Sequence, residues 1–170
     1  MRTFLPTHQV RVSAAVRNGE GHLLVVCHAR RGERYWTLPG GSVELGESLK
    51  YAVAREVTEE TNYLVEVGSV LAIMELRPER WSSPRLEIVF TATLAGANHS
   101  MPHRAEGIVE VAWRPPDSLR RWFRPSSVLE HLAGSTAAFL GDVTQAPGEC
   151  PDNAPAAEAA RPASRHEPER

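Results

Sequence analysis

Glu47, Glu56, Glu59 and Glu60 bring four carboxylates into one loop and one helix within the run GSVELGESLKYAVAREVTEETNY, Gly41 to Tyr63. At about 100° per residue, Glu56, Glu59 and Glu60 share an arc of roughly 100°, turned away from the centre of a Leu49/Val53/Val57 stripe. Glu56 and Glu60 form an i,i+4 like-charge pair, which costs a few tenths of a kcal/mol on an isolated helix. Arg55 precedes Glu59 by four positions, but neither Glu56 nor Glu60 has a basic residue three or four positions away in the helix. The cluster occupies the C-terminal half of the helix, where the macrodipole disfavours negative charge. It follows a Gly40-Gly41 turn that lets backbone come close to a ligand. A solvated acidic face is the plain alternative. A bound divalent cation removes the repulsion, and carboxylate oxygens with a backbone carbonyl suit Mg²⁺ or Mn²⁺ rather than zinc.

The elements that must position this cluster are legible around it. Val10–Arg17 and His22–Ala29 read as two strands around Asn18-Gly19-Glu20-Gly21, a hairpin signal. A basic loop, ARRGER from Ala29 to Arg34, precedes a short strand from Tyr35 to Leu38 that Pro39-Gly40-Gly41 stops. The helix runs from Glu47 or Ser48 to Thr61. Strand patterns follow over Val65–Leu76, Leu86–Leu94 and Ile108–Trp113, with a polar loop, RPERWSSPR, between the first two. Ser126 or Ser127 caps a final helix expected to reach Phe139. From Gly141 on, Ala, Pro, Glu and Arg dominate and apolar periodicity stops. Residues 1–140 therefore read as the folded domain and 141–170 as an Ala/Pro-rich disordered tail. Strands around a central helix with a second helix near the end predict an α/β fold, a mixed sheet between helices.

The 170 residues suffice for one domain with a real core. A formal net charge of −2 gives no general attraction to nucleic acid or anionic membrane. Cys27 lies in an apolar run and Cys150 in the Pro-rich tail, usage that fits a reducing cytoplasm. The opening MRTFLPTHQVRV lacks a signal-peptide apolar region, and no membrane-spanning run of about 18 apolar residues is present. A cytoplasmic protein is the expectation.

The segment from Gly41 to Tyr63 resembles the Nudix box, the signature of hydrolases acting on nucleoside diphosphates linked to another moiety. The family pattern maps onto Gly41, Glu47, Arg55, Glu56, Val57, Glu59 and Glu60, with Asn62 in place of the last glycine and Tyr63 of the last aliphatic residue. Asparagine is the usual substitute for glycine in the left-handed turn that ends a helix. Trp36-Thr37-Leu38-Pro39-Gly40 also resembles the family's preceding strand, and the strand context fits from about Val10 to Trp113. The resemblance implies an α/β/α sandwich and a metal-dependent hydrolase that cuts a pyrophosphate bond.

It further implies roles. Glu56, Glu59 and Glu60 bind the metal with the Gly40 carbonyl, and Arg55 pairs with Glu47 to hold the loop against the helix. Glu44 could be a further structural or outer-sphere carboxylate. The general base in this family is a helix glutamate or one from a later loop. Here the loop candidate is Glu106, beside Gly107, in preference to Glu110 inside the following strand. The catalytic set is thus Glu47, Arg55, Glu56, Glu59, Glu60 and Glu106. For substrate, Arg30, Arg31 and Arg34 could meet phosphates, and Trp36 and Trp81 could stack on a base, although a Trp at the Trp36 strand position is more often core and Trp81 is the better stacking candidate. A spaced pair, His99 and His103, flanks Pro102 and does not make a metal site. Pro78, fifteen residues past Tyr63, is a thin pointer to ADP-ribose. The expected substrate is an ADP-ribose-like compound or a nucleoside triphosphate. The alternatives are dinucleoside polyphosphates, RNA 5′ ends, or a non-catalytic nucleotide-binding regulatory module. The absence of a basic stripe argues against RNA and other nucleic acid. Degenerate modules lose box glutamates that this chain keeps. A homodimer is left open.

Overall fold

The computed structural model describes residues 9–30, 33–76, 84–97, 107–119, 123, 127–132 and 138–143. In chain order these form β1 (Gln9–Val16), β2 (Leu23–Arg30), β3 (Glu33–Thr37), β4 (Gly40–Ser42), α1 (Leu49–Thr61), β5 (Tyr63–Leu76), β6 (Arg85–Ala97), β7 (Ile108–Arg114), α2 (Pro116–Leu119), α3 (Ser127–Leu132) and β8 (Ala138–Val143). The strands divide into two sheets. A five-stranded mixed sheet has the order β4-β1-β6-β5-β8, with β1–β6 and β5–β8 parallel. A three-stranded antiparallel sheet has the order β3-β2-β7.

Alternation along β1 shows how the layers are made. Val12, Ala14 and Val16 join Leu24, Phe90 and Ala92 under Ala52, Val53 and Val57 of α1. Ala15 faces the other way, with Leu23, Val25, Cys27, Met74 and Val89 under Leu119 of α2 and Val128, Leu129 and Leu132 of α3. The strands thus lie between α1 on one side and α2–α3 on the other, the expected α/β/α sandwich. Among the described residues no helix is long and apolar enough to cross a membrane.

Several local expectations change. The β1–β2 connection does not make a hairpin ladder. Asn18 Oδ1 accepts from Glu20 N at 3.0 Å and His22 N at 2.9 Å, which winds the loop about one side chain. A single bridge, Arg17 with Leu23, follows, and the two strands then separate into different sheets. The basic loop is shorter than expected, because β2 and β3 pair as far as Arg30 with Glu33, placing Arg34 in a strand. Leu49, expected in the buried stripe, is 37 % exposed at the helix start. The last helix stops at Leu132 instead of Phe139, and Phe139 pairs with Ile73 in β8. Strand β8 also crosses the expected domain boundary by three residues, to Val143. The remainder of the tail lies outside the described residues.

Candidate active site

The site is built where β4 delivers two glycines against the side of α1. Strand β4 pairs antiparallel with β1, with Ser13 opposite Gly40 and Val12 opposite Gly41. A Cβ on Gly40 would run into the Val12 carbonyl oxygen and the Ser13 backbone. A Cβ on Gly41 would fall on the carboxylate of Glu56. Both positions require glycine for close approach. Helix α1 is fixed at both ends. Ser48 Oγ accepts from Tyr51 N at 3.3 Å. Asn62 adopts the left-handed conformation, φ 64°, and its N–H donates to Thr58 O, as its place in the final glycine position anticipates.

Arg55 organises the acidic side. Its Nε donates to Glu47 Oε2 at 3.1 Å and its Nη2 to Glu47 Oε1 at 2.8 Å, a fork-to-fork pair. Nη1 reaches Glu56 Oε1 at 2.9 Å and Glu59 Oε2 at 3.2 Å, and Nη2 also binds the Ser42 carbonyl at 3.1 Å. One guanidinium therefore ties the loop, β4 and three glutamates together. It holds the Glu47 carboxyl below its usual range, helped by the Glu44 N–H. The carboxylates in turn raise the Arg55 pKa, with Glu47 as the largest cause. Glu44 stays at the margin, 3.9 Å from Arg55 and largely exposed.

Glu60 is different in kind. It is 4 % exposed, and its Oε2 accepts from Gly40 N at 2.8 Å. Burial pushes its carboxyl up to about 8 from 4.5. The Gly40 hydrogen bond and Arg11 oppose that rise, while Glu56 and Glu59 add to it. Folded protein then retains a proton at Glu60 that the unfolded chain has released, so the contribution to stability is full below 4.5 and lost as pH rises through about 8. Metal-free protein is expected to lose on the order of a few kcal/mol across that window. Thermal melts in EDTA against pH check this, and a profile without a decline over the window would contradict it.

Two carboxylates, Glu56 and Glu60, stand one helical turn apart beside the Gly40-Gly41 backbone. Among the described residues no three of His, Cys, Asp and Glu converge to hold a metal by themselves. Glu59 is half exposed and shares the Arg55 Nη1 donor with Glu56. The donor set nevertheless suits Mg²⁺ or Mn²⁺. Hard cations of this kind are commonly held by one or two carboxylates and complete their shell with water and substrate phosphate. Beside it, Ser13 Oγ is buried and has no hydrogen-bond partner.

The substrate candidates fare unevenly. Trp36 is 3 % exposed, with the Arg114 guanidinium 5.1 Å from its ring centroid, so core packing overturns the expectation of an open stacking surface. Arg34 is exposed on β3. Trp81, Pro78, Arg31 and Glu106 lie outside the described residues. Glu110, the competitor of Glu106, pairs with Arg114 at 3.1 Å. Sequence reasoning missed Arg11, whose Nη2 donates to the Gly40 carbonyl at 3.0 Å. His28, near the end of β2, meets Thr37 Oγ1 at 3.1 Å and stacks on Tyr35. Burial, then Arg11, pushes the His28 pKa down. On β1 alone, Arg11 reads as an ordinary outward polar residue of an alternating strand.

Comparison with known proteins places this geometry. The family model described as the NUDIX domain matches residues 7–132. The chain is 32% identical over 130 residues to an 8-oxo-dGDP phosphatase of Mus musculus, covering 75% of this chain and 38% of that protein. It is 29% identical over 129 residues to the NAD-capped RNA hydrolase NudC of Pectobacterium atrosepticum, covering 75% and 46%. The chain spans less than half the length of these curated relatives. Among solved structures, a NUDIX hydrolase from Nitrosomonas europaea superposes with a TM-score of 0.66 at 24% identity, over 75% of this chain and 87% of that one. That likeness bears on the fold.

Proposed function

The chain belongs to the NUDIX domain family, and on that footing we propose that it is a metal-dependent hydrolase cutting the pyrophosphate bond of a nucleoside diphosphate derivative. The observation that carries the reading is Glu60: a buried carboxylate, bound by the Gly40 N–H, one turn from Glu56 and with its pKa raised in the absence of a cation. Glu56, Glu60 and the Gly40 carbonyl would hold Mg²⁺ or Mn²⁺. When bound, such an ion neutralises diphosphate charge, activates water and stabilises the leaving phosphate.

The chain's own groups supply the rest. Arg55 fixes one oxygen of Glu56, holds β4 through the Ser42 carbonyl and, through Glu47, locks the following loop against α1. Glu59 remains on the exposed side of Arg55 and serves as an outer carboxylate. Water adds to one phosphorus and the P–O bond to the bridging oxygen breaks. Glu106 is the proposed acceptor of the water proton. ADP-ribose-like compounds and nucleoside triphosphates remain the proposed substrates, and the two relatives described above are named for an oxidised nucleoside diphosphate and a capped RNA. A panel of these compounds with Mg²⁺, read as phosphate released after coupled phosphatase, tests the reading. Turnover of none would favour a non-catalytic nucleotide-binding module.

Gly41→Ala tests the cradle. The new methyl meets the end of the Glu56 side chain rather than backbone, so the fold survives and the carboxylate shifts. Activity is expected to fall by about 10²-fold with little change in melting temperature. Full activity would show that the Glu56 position is not required. Gly40→Ala, which meets backbone, is expected to fail to fold.

A further inference from the structure

We propose that Arg11 is the resident cation of the glycine–glutamate cradle, and that a divalent ion must displace its guanidinium from the Gly40 carbonyl in order to bind. The inference rests on the reading of Gly40, Glu56 and Glu60 as the metal site.

Arg11 lies on β1 opposite Ser42 of β4, two residues along from the Ser13–Gly40 pair. Its side chain crosses that distance and donates from Nη2 to the Gly40 carbonyl at 3.0 Å in a partly buried setting. The same residue exposes both of its backbone groups to the site. The Gly40 N–H goes to Glu60 and the Gly40 carbonyl goes to Arg11. The positive charge of Arg11 also acts on Glu60, with an effect opposed to that of Glu56 and Glu59. The two arginines therefore divide the acidic cluster. Arg55 serves Glu47, Glu56 and Glu59, and Arg11 serves Gly40 and Glu60.

A carbonyl oxygen has two lone pairs, but a guanidinium and a divalent ion on one oxygen repel strongly even at the effective dielectric of a protein. Arg11 must then leave as the ion enters. A long, flexible side chain can make that move without disturbing β1, whose pairing to β4 and β6 is entirely backbone. The consequence is a cradle whose Gly40 carbonyl already has a donor before any metal arrives. Metal affinity is correspondingly lower than the donor set alone would give.

The test is calorimetric titration of Mn²⁺ into EDTA-stripped wild type, Arg11→Met and Arg11→Lys. Arg11→Met is expected to bind about tenfold more tightly than wild type, and Arg11→Lys, which keeps the charge, to stay within about threefold. Metal-free Arg11→Met is expected to melt below metal-free wild type, with the gap closing at saturating Mn²⁺. Binding by Arg11→Met that equals wild type or is weaker would overturn the proposal while leaving the metal site in place. Wild type that binds no Mn²⁺ would overturn both. If Arg11→Met does not fold, nitrogen NMR of the wild-type guanidinium during a Mg²⁺ titration decides. Faster exchange of the Arg11 Nη protons supports displacement, and unchanged protection overturns it.

Discussion

Glu60→Gln is expected to lower Mg²⁺-dependent hydrolysis by about 10³-fold, the scale of several kcal/mol of charge stabilisation, while the metal-free protein becomes more stable above about pH 8. On the proposed metal-binding role of Glu60, the two effects have opposite signs. Its carboxylate is buried with its pKa pushed up to about 8, so ionising it costs the folded state. Glutamine keeps an acceptor for the Gly40 N–H, which is the contact that matters structurally. It removes the charge that a divalent cation would use. Turnover and melting curves on the same preparation check both halves. Undiminished turnover would sink the assignment of Glu60. Loss of stability at high pH would show that its charge has another partner in the folded protein.

Arg55→Ala is expected to lose function more than stability. Five hydrogen bonds disappear, to Glu47, Glu56, Glu59 and the Ser42 carbonyl. Solvent reaches much of this network, with Glu59 half exposed, so the stability cost is about 1–3 kcal/mol. The loop bearing Glu47 is then no longer tied to α1, β4 loses its Ser42 contact, and Glu56 loses the donor that fixes one of its oxygens. Groups that orient metal ligands are typically worth about 10–100-fold in affinity or activity. Arg55→Lys is expected to rescue little, since an ammonium cannot reproduce the fork on Glu47. Mn²⁺ affinity and kcat measured together check this. An Arg55→Lys protein with wild-type values would reduce Arg55 to a point charge.

What was legible in the sequence was local and periodic. The Glu56/Glu60 spacing and the Asn62 turn act within one helix, where the 3.6-residue period decides which groups can meet, while the Arg55–Glu47 pair was implied by the resemblance to the Nudix box. What was not legible depends on distant backbone. Strand β8 exists through parallel pairing with β5, more than sixty residues earlier, and its sequence AFLGDV, with Gly141 and Asp142, gives no strand signal of its own. Arg11 meets Gly40 across twenty-nine residues through β1–β4 pairing. Trp36 was left between core and ligand because aromatic residues beside a turn serve both, and its burial together with Phe123 decides for the core.

The central claim is that α1 and the Gly40-Gly41 turn form a metal-dependent site for splitting a pyrophosphate bond. Phosphorus NMR of a nucleoside diphosphate derivative incubated with the EDTA-stripped chain, before and after Mg²⁺ is added, tests it most directly. The account predicts that the P–O–P signals persist in EDTA, are replaced by monophosphate signals when Mg²⁺ is added, and persist with Glu60→Gln under either condition. Across the substrate panel, P–O–P signals that never change with Mg²⁺, or that vanish equally in EDTA, would contradict it.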